Sequence, residues 1–389
     1  MGDCDDQIVT SCRDGSVRVW KWPARHNVVR LDGHETAVGQ LQFSNDGSQL
    51  ASASDDGMVL VWSPDESTKP VHSIASGSKA ADIQFHPDGR SLLTAVESEE
   101  TQIWNLEDGE PGSSEAVSQF NRRTIRRARF SSDGRWLAVS GGNRARVVDS
   151  TDKQRVVSQS QLQGSVLIRG IDFSPTGDRL LTIGEDGSII WDVHTGAALM
   201  TLTETHSLKT HGLFSPDGTR VFTAGRQGEN FMMDVAGEQT RSLWTSATAR
   251  LLKAEFSNDG KLLLTSHVDG TFLLREVETG EVKHEAKHHP GLSAARFVPG
   301  DSMVVTAGSD GNVRVWSVAT GKLLSPPLRH DSAINDVRVH PDGRRFATGC
   351  DDGSVWLWTI PVFDSEQRLK QQLQSLPTSP NAAELSGDG

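Results

Sequence analysis

RHDSAINDVRVHPDGRRFATGCDDGSVWLW, residues 329–358, is the stretch that decides how this chain folds. It runs from a His through an alternating strand to the turn HPDG. A second alternating strand, an Asp-Gly turn and a strand closing on Trp358 complete it. Two other stretches repeat its polar and aromatic residues in register: His34, Ser52, Asp56 and Trp62, and His288, Thr306, Asp310 and Trp316 stand at the same offsets as His330, Thr348, Asp352 and Trp358. In all three sets the steps are 18, 4 and 6 residues, so the chain is internally repetitive.

The period is read from the apolar residue before each HPDG-like turn. These anchors are Phe43, Phe85, Phe130, Phe173, Phe214, Phe256, Phe297 and Val339, and their spacings are 42, 45, 43, 41, 42, 41 and 42 residues. Pro or Asn presets a tight turn and Gly takes the positive-φ position, so each turn joins two short antiparallel strands. A second row of turns, such as DDG at 55, SDG at 309 and DDG at 351, leads into strands ending in Trp or its substitute. Each period therefore holds four short strands and no helix of useful length.

In period and in its four-strand unit the chain resembles the WD-repeat β-propeller family, over about residues 7–360. The resemblance implies an all-β ring of four-stranded antiparallel blades. It also implies that His34, Ser52, Asp56 and Trp62, His288, Thr306, Asp310 and Trp316, and His330, Thr348, Asp352 and Trp358 are structural tetrads tying strands within a blade. Physical chemistry points the same way, since a buried imidazole or carboxylate stripped of its partner costs about 1–3 kcal/mol. Eight inner strands end at the eight anchors, which favours eight blades. A seven-bladed ring over 80–358, closed by a strand near Val71–Ile74, is the rival; it leaves residues 7–62 as an orphan sheet with open edges.

The domain reading divides the chain into a partial blade or overhang at 1–26, a propeller at 27–360, a short helix at 361–376 and a disordered tail at 377–389. Residues 27–31 are the expected source of the strand that closes the last blade. A longer protein preceding Met1 is the alternative reading of the odd N-terminal segment. The exit after Trp358, TIPVFDSEQRLKQQLQSL, is similar to that of WD-repeat arrays of bacterial type joined to Ser/Thr kinases.

Composition narrows the function. The net charge of −12 argues against sequence-independent nucleic-acid binding, which needs cations to displace phosphate counterions. Three cysteines without paired spacing favour a reducing, cytoplasmic setting, and no apolar run is long enough to span a membrane. HEAKHH at 284–289 groups three imidazoles, but His288 is committed to a tetrad place, and neither a metal nor another cofactor is expected. No phosphate loop, nucleophile elbow or kinase signature occurs. Asp82, Arg127, His211, Lys253 and Asp336 each stand three residues before an anchor, a spacing common to every blade and so a property of the repeat.

The expected function is a non-catalytic protein-interaction scaffold, monomeric by itself. A regulatory or sensing propeller of a larger, kinase-linked signalling protein is the second reading, and a propeller enzyme working at the channel mouth the third. The concentrated positive field of the chain is RRTIRRARF, 122–130, on a blade with no tetrad residues: Asn121, Val139, Asn143 and Val148 take the four places. Charge runs are usually solvated faces. Arg is also the residue for bidentate capture of carboxylate or phosphate, so Arg122, Arg123, Arg126 and Arg127 are the candidate contacts for an acidic or phosphorylated partner. Strict alternation sets Arg127 with Arg129 and puts Arg126 on the Phe130 face.

Overall fold

The structure is a computed structural model that describes residues 7–11, 17–21, 28–96, 101–106, 125–152, 156–161, 167–184, 187–202, 209–237 and 241–360. Every described element is a strand. Eight sheets are antiparallel throughout, and in seven of them an inner strand is followed outward by its successors in sequence; in the eighth the outer strand comes from the start of the chain. The inner strands are Val38–Phe43, Ala80–Phe85, Ile125–Phe130, Ile168–Phe173, Lys209–Phe214, Leu251–Phe256, Leu292–Phe297 and Ile334–Val339, which number the blades one to eight. Each inner strand packs beside the next, and the eighth packs beside the first, so the ring is closed. Seven sheets show four strands, and the second shows three among the described residues. This is an eight-bladed β-propeller.

Closure comes from Val29–Leu31, which pairs antiparallel with Val355–Leu357 as the outer strand of the eighth blade. The seven-bladed alternative fails on register. The strand it needs for closure, Pro70–Ala75, is already paired with Met58–Trp62 as the outer strand of blade one. Gln7–Ser11 and Val17–Lys21 form a two-stranded antiparallel sheet of their own. The helix and tail expected at 361–389 lie outside the described residues. Among the described residues no helix is long and apolar enough to cross a membrane.

Core packing runs between blades more than within them. Phe43, Leu50 and Trp62 of blade one meet Leu31, Ala347 and Leu357 of blade eight, and the other side of blade one meets Phe85, Leu92 and Trp104 of blade two. Trp62 is fully buried. Each such side chain contributes roughly 1.5–3 kcal/mol, and since it is shared across a blade boundary, the ring holds as a unit. The anchor turns carry Gly at φ near +70°, as at Gly47 and Gly343. In the VPGD turn of blade seven, Asp301 takes that place at φ 55°, which Asp tolerates better than most residues.

Candidate functional site

Every inner strand carries a β-bulge four residues before its anchor. The register shifts fall at Val38/Gln40, Ala80/Asp82, Ile125/Arg127, Ile168/Gly170, Lys209/His211, Leu251/Lys253, Leu292/Ala294 and Ile334/Asp336. A bulge inserts one unpaired residue and re-aims the side chains after it. It sets the residues three and one before the anchor on the channel side, opposite the apolar pair that enters the core. In blade three the extra residue is Arg126, so strict alternation does not run unbroken along that strand. In blade eight the extra residue is Asn335, whose Nδ2 donates to Val38 O of blade one at 3.2 Å.

The position immediately before the anchor forms a latch from one blade to the next. The Phe85 N–H donates to Gln42 Oε1 (2.9 Å), Phe130 N–H to Gln84 Oε1 (2.8 Å), Phe214 N–H to Asp172 Oδ2 (2.9 Å) and Phe297 N–H to Glu255 Oε2 (3.3 Å). Sequence register alone does not reveal this ring. A polar residue stands before nearly every anchor, but only the closed ring supplies the neighbouring N–H that explains it. Burial pushes the Asp172 carboxyl up to about 6 and raises Glu255 as well.

The residues three before the anchor do meet across the channel. Lys253 Nζ of blade six donates to Asp336 Oδ1 of blade eight at 2.8 Å. Blade seven lies between them and has only the Ala294 methyl at this level, which leaves the long lysine room to reach across. Asp336 is 1% exposed. Its other oxygen accepts from Arg338 Nε at 3.1 Å and from the Leu41 N–H at 3.3 Å, and Arg296 Nη2 stands 4.0 Å from Oδ1. Burial works to raise the Asp336 carboxyl, but Arg338, Lys253 and Arg296 hold it well below the usual range. Desolvation, with Arg296 and Arg338 nearby, brings Lys253 down to about 8 despite Asp336. His211 is pushed down to about 4 by burial and by Arg127, so its imidazole is neutral near pH 7.

The three repeated His-Ser/Thr-Asp-Trp sets differ from one another. In blade one, Trp62 Nε1 donates to Ser52 Oγ (2.8 Å), His34 Nε2 lies 2.8 Å from the same oxygen, and His34 Nδ1 lies 3.3 Å from Asp56 Oδ2. In blade seven, Thr306 Oγ1 is bound by Trp316 Nε1 and His288 Nδ1, both at 2.8 Å, and His288 Nε2 is 3.1 Å from Asp310. Arg314 joins that set, donating to Asp310 Oδ2 at 2.8 Å. Burial works to raise Asp310, but hydrogen bonds from Arg314 and Asn312 hold it down at about 2.

Blade eight is different. His330 Nε2 is 2.8 Å from Thr348 Oγ1 and accepts from Trp358 Nε1 at 3.0 Å, while the buried His330 Nδ1 has no hydrogen-bond partner among the described residues. Asp352 turns away and accepts from the Ser354 N–H (3.0 Å) and hydroxyl (2.5 Å). Trp356 packs edge-on against the His330 ring, 5.8 Å between centroids. The fourfold set expected there is therefore a threefold one.

Elsewhere the pattern thins. Trp104 donates to Thr94 and Trp191 to Thr182 with no His in place. In blade six, which lacks a His at the repeat position, His267 supplies the imidazole from a different strand: its Nε2 lies 3.0 Å from Thr265 Oγ1 and its Nδ1 2.8 Å from Ala249 O. That substitution breaks the spacing, which is why sequence register missed it.

Of the candidate partner contacts, Arg122 and Arg123 lie outside the described residues. Arg126 is the bulge residue of the third inner strand, and Arg127 occupies its first channel-side position, partly buried. In the HEAKHH stretch His288 is held by Thr306 and Asp310, and among the described residues no group of three or more His, Cys, Asp and Glu is placed to hold a metal.

Three segments, residues 25–63, 280–317 and 322–359, match the family profile WD40, the WD domain or G-beta repeat. They contain the three repeated His-Ser/Thr-Asp-Trp sets. The chain is 24% identical over 202 residues to an uncharacterized WD repeat-containing protein of Schizosaccharomyces pombe, covering 49% of each chain, so it spans about half the length of that relative. It is 24% identical over 270 residues to the guanine nucleotide-binding protein subunit beta of Zea mays, covering 62% of this chain and 67% of the other. Among solved structures, the computationally designed Ika8 protein superposes with a TM-score of 0.73 at 20% identity, over 86% of this chain and all (100%) of that one. By its closed ring the chain is an eight-bladed β-propeller, and three of its segments match the WD40 repeat profile.

Proposed function

We propose that this chain is a non-catalytic scaffold that holds a protein or peptide segment on the face where loops lead into the inner strands. An acidic or phosphorylated stretch of that partner is set against Arg122, Arg123, Arg126 and Arg127. The observation that carries the reading is one of register. The bulge makes Arg126 the extra residue of blade three, and the extra residue of the adjacent blade four is Arg169, so two arginines take equivalent places at the start of neighbouring inner strands. This happens in a chain of net charge −12. A relative named as a subunit of a guanine nucleotide-binding protein supports carrying over the expectation of a protein partner.

The chemistry of the reactive-looking groups supports the non-catalytic reading. His288 is pushed down to about 4 by burial and by Arg314, and His330 to about 4 by burial. Desolvation pushes the buried Cys350 thiol up to about 12, far from a reactive thiolate. The acidic net charge favours a partner other than nucleic acid, and a cytoplasmic monomer remains the simplest setting. A second reading is a regulatory propeller within a larger signalling protein, a kinase-linked one included: the periodic tryptophan protein 2 homolog of Caenorhabditis elegans, 23% identical over 71% of this chain, is matched over only 31% of its own length.

The test is fluorescence anisotropy against a panel of acidic and phosphorylated peptides, with the wild type and a variant carrying Arg122→Gln, Arg123→Gln, Arg126→Gln and Arg127→Gln. Wild-type binding should weaken as salt rises, and the variant should lose about tenfold or more in affinity with its melting temperature nearly unchanged. Equal affinity in the two proteins, or no peptide bound by the wild type, overturns the assignment.

A further inference from the structure

Arg296 and Arg338 occupy the same register, one residue before the anchor, on the adjacent inner strands of blades seven and eight. In blades one, two, four and six this place holds a Gln or an acid that accepts the next blade's anchor N–H. A guanidinium has no acceptor, so these two residues cannot serve that latch. Their donors are also mostly unspent. Both hydrogen bonds of Arg338 leave from Nε, to Leu41 O at 2.9 Å and to Asp336 Oδ2 at 3.1 Å, so its two terminal nitrogens make none among the described residues. Arg296 has 11% side-chain exposure, and its nearest carboxylate oxygens, on Glu255 and Asp336, are both 4.0 Å away. Among the described residues its one hydrogen bond goes to Ala295 O at 3.2 Å, and its buried Nε has no partner.

We infer that the propeller channel contains a site for a tetrahedral oxyanion of the phosphate type, received by Arg296 and Arg338 with the Lys253 ammonium beside them. Buried polar groups in folded proteins are nearly always bonded, so an enclosed guanidinium with an idle Nε points to a missing acceptor. Two guanidiniums and an ammonium offer several N–H donors in a fork geometry suited to phosphate oxygens. The local acids leave that capacity open. Asp336 already accepts from Lys253, Arg338 and the Leu41 N–H. Glu255 accepts the Phe297 N–H, and its nearest oxygen stands 4.0 Å from Arg296. The site uses none of the four arginines of the proposed partner face, and it stands or falls separately from that reading.

Calorimetric titration of the full chain with inorganic phosphate, against chloride at matched ionic strength, tests the site. The wild type should bind phosphate saturably, and Arg296→Met and Arg338→Met should each weaken it by about tenfold or more, a charge-assisted bond being lost. Arg144→Met, an exposed arginine on another strand of blade three, should bind as the wild type does. If Arg296→Met does not fold, Arg338→Met and Arg338→Lys carry the test alone. The variant with glutamine at 122, 123, 126 and 127 should keep the phosphate response. A phosphoserine peptide that competes with inorganic phosphate identifies the oxyanion as one carried on a partner, and a peptide that does not compete identifies a free anion. No saturable phosphate response in the wild type, or an undiminished one in both channel variants, overturns the site.

Discussion

Asp336→Asn removes one negative charge from the channel and changes little else in shape. The amide still offers an oxygen to the Leu41 N–H, but it no longer balances Lys253, Arg338 and Arg296. Breaking a buried ion pair by removing one partner costs about 3–5 kcal/mol. A third of the Lys253 side chain stays exposed (34%), so the solvent screens part of the repulsion and the lower end, about 3 kcal/mol, is expected. At about 2 cal/mol/K per residue of unfolding entropy, a ring of this size loses about 4 °C in melting temperature.

The dependence on pH separates this cause from simple loss of packing. Asp336 has a depressed pKa in the fold, so its stabilisation is present above the unfolded carboxylate range and is lost progressively, toward its lower folded pKa, once pH falls below about 4. Below that the wild type loses what the variant never had, and the gap narrows. On the alkaline side, Lys253 titrates in the wild type near 8. Without the carboxylate that raises it, the lysine gives up its proton earlier, and stability then climbs with pH because the unfolded chain binds more protons. The penalty of the variant should therefore be largest between about pH 4 and 6.5 and shrink toward about pH 8. Urea denaturation across pH 3.5–9, with Lys253→Met added to each background, measures it. A penalty under about 1 kcal/mol, a penalty independent of pH, or one untouched by Lys253→Met refutes the reasoning.

Asp310→Ala should cost about 1–3 kcal/mol, because it strips His288, Arg314 and the Asn312 N–H of their acceptor. Asp352→Ala, at the equivalent position, should cost about 1 kcal/mol or less, since its carboxylate serves a local Ser354 turn and does not reach His330. Denaturant midpoints for the pair check this, and equal losses would restore Asp352 to the His330 set. His267→Ala should behave like loss of a repeat histidine, stranding the Thr265 hydroxyl for about 1–3 kcal/mol although no spacing marks it. A neutral His267→Ala in the same measurement counts against that role.

Period, turn chemistry and alternation are local properties, and the eight anchors Phe43 to Val339 with their Gly-bearing turns were enough to specify strands and blades and to favour eight blades over seven. The His-Ser/Thr-Trp core of the repeated sets at 34–62 and 288–316 was legible for the same reason: fixed offsets along short strands bring fixed positions together. Three things depended on the closed ring. The bulge before each channel position, at Arg126 in blade three, is invisible to alternation. Asp352 was expected on His330, but Ser354, two residues along, offers a nearer donor pair and Trp356 packs on the imidazole. The meeting of Lys253 with Asp336 joins residues 83 apart. It arises because curvature brings blades six and eight within a lysine's reach past blade seven, where Ala294 is small. Sequence order carries the repeat; contact between repeats is decided by how tightly the ring closes, and there the charged positions of the channel acquire their partners or go without.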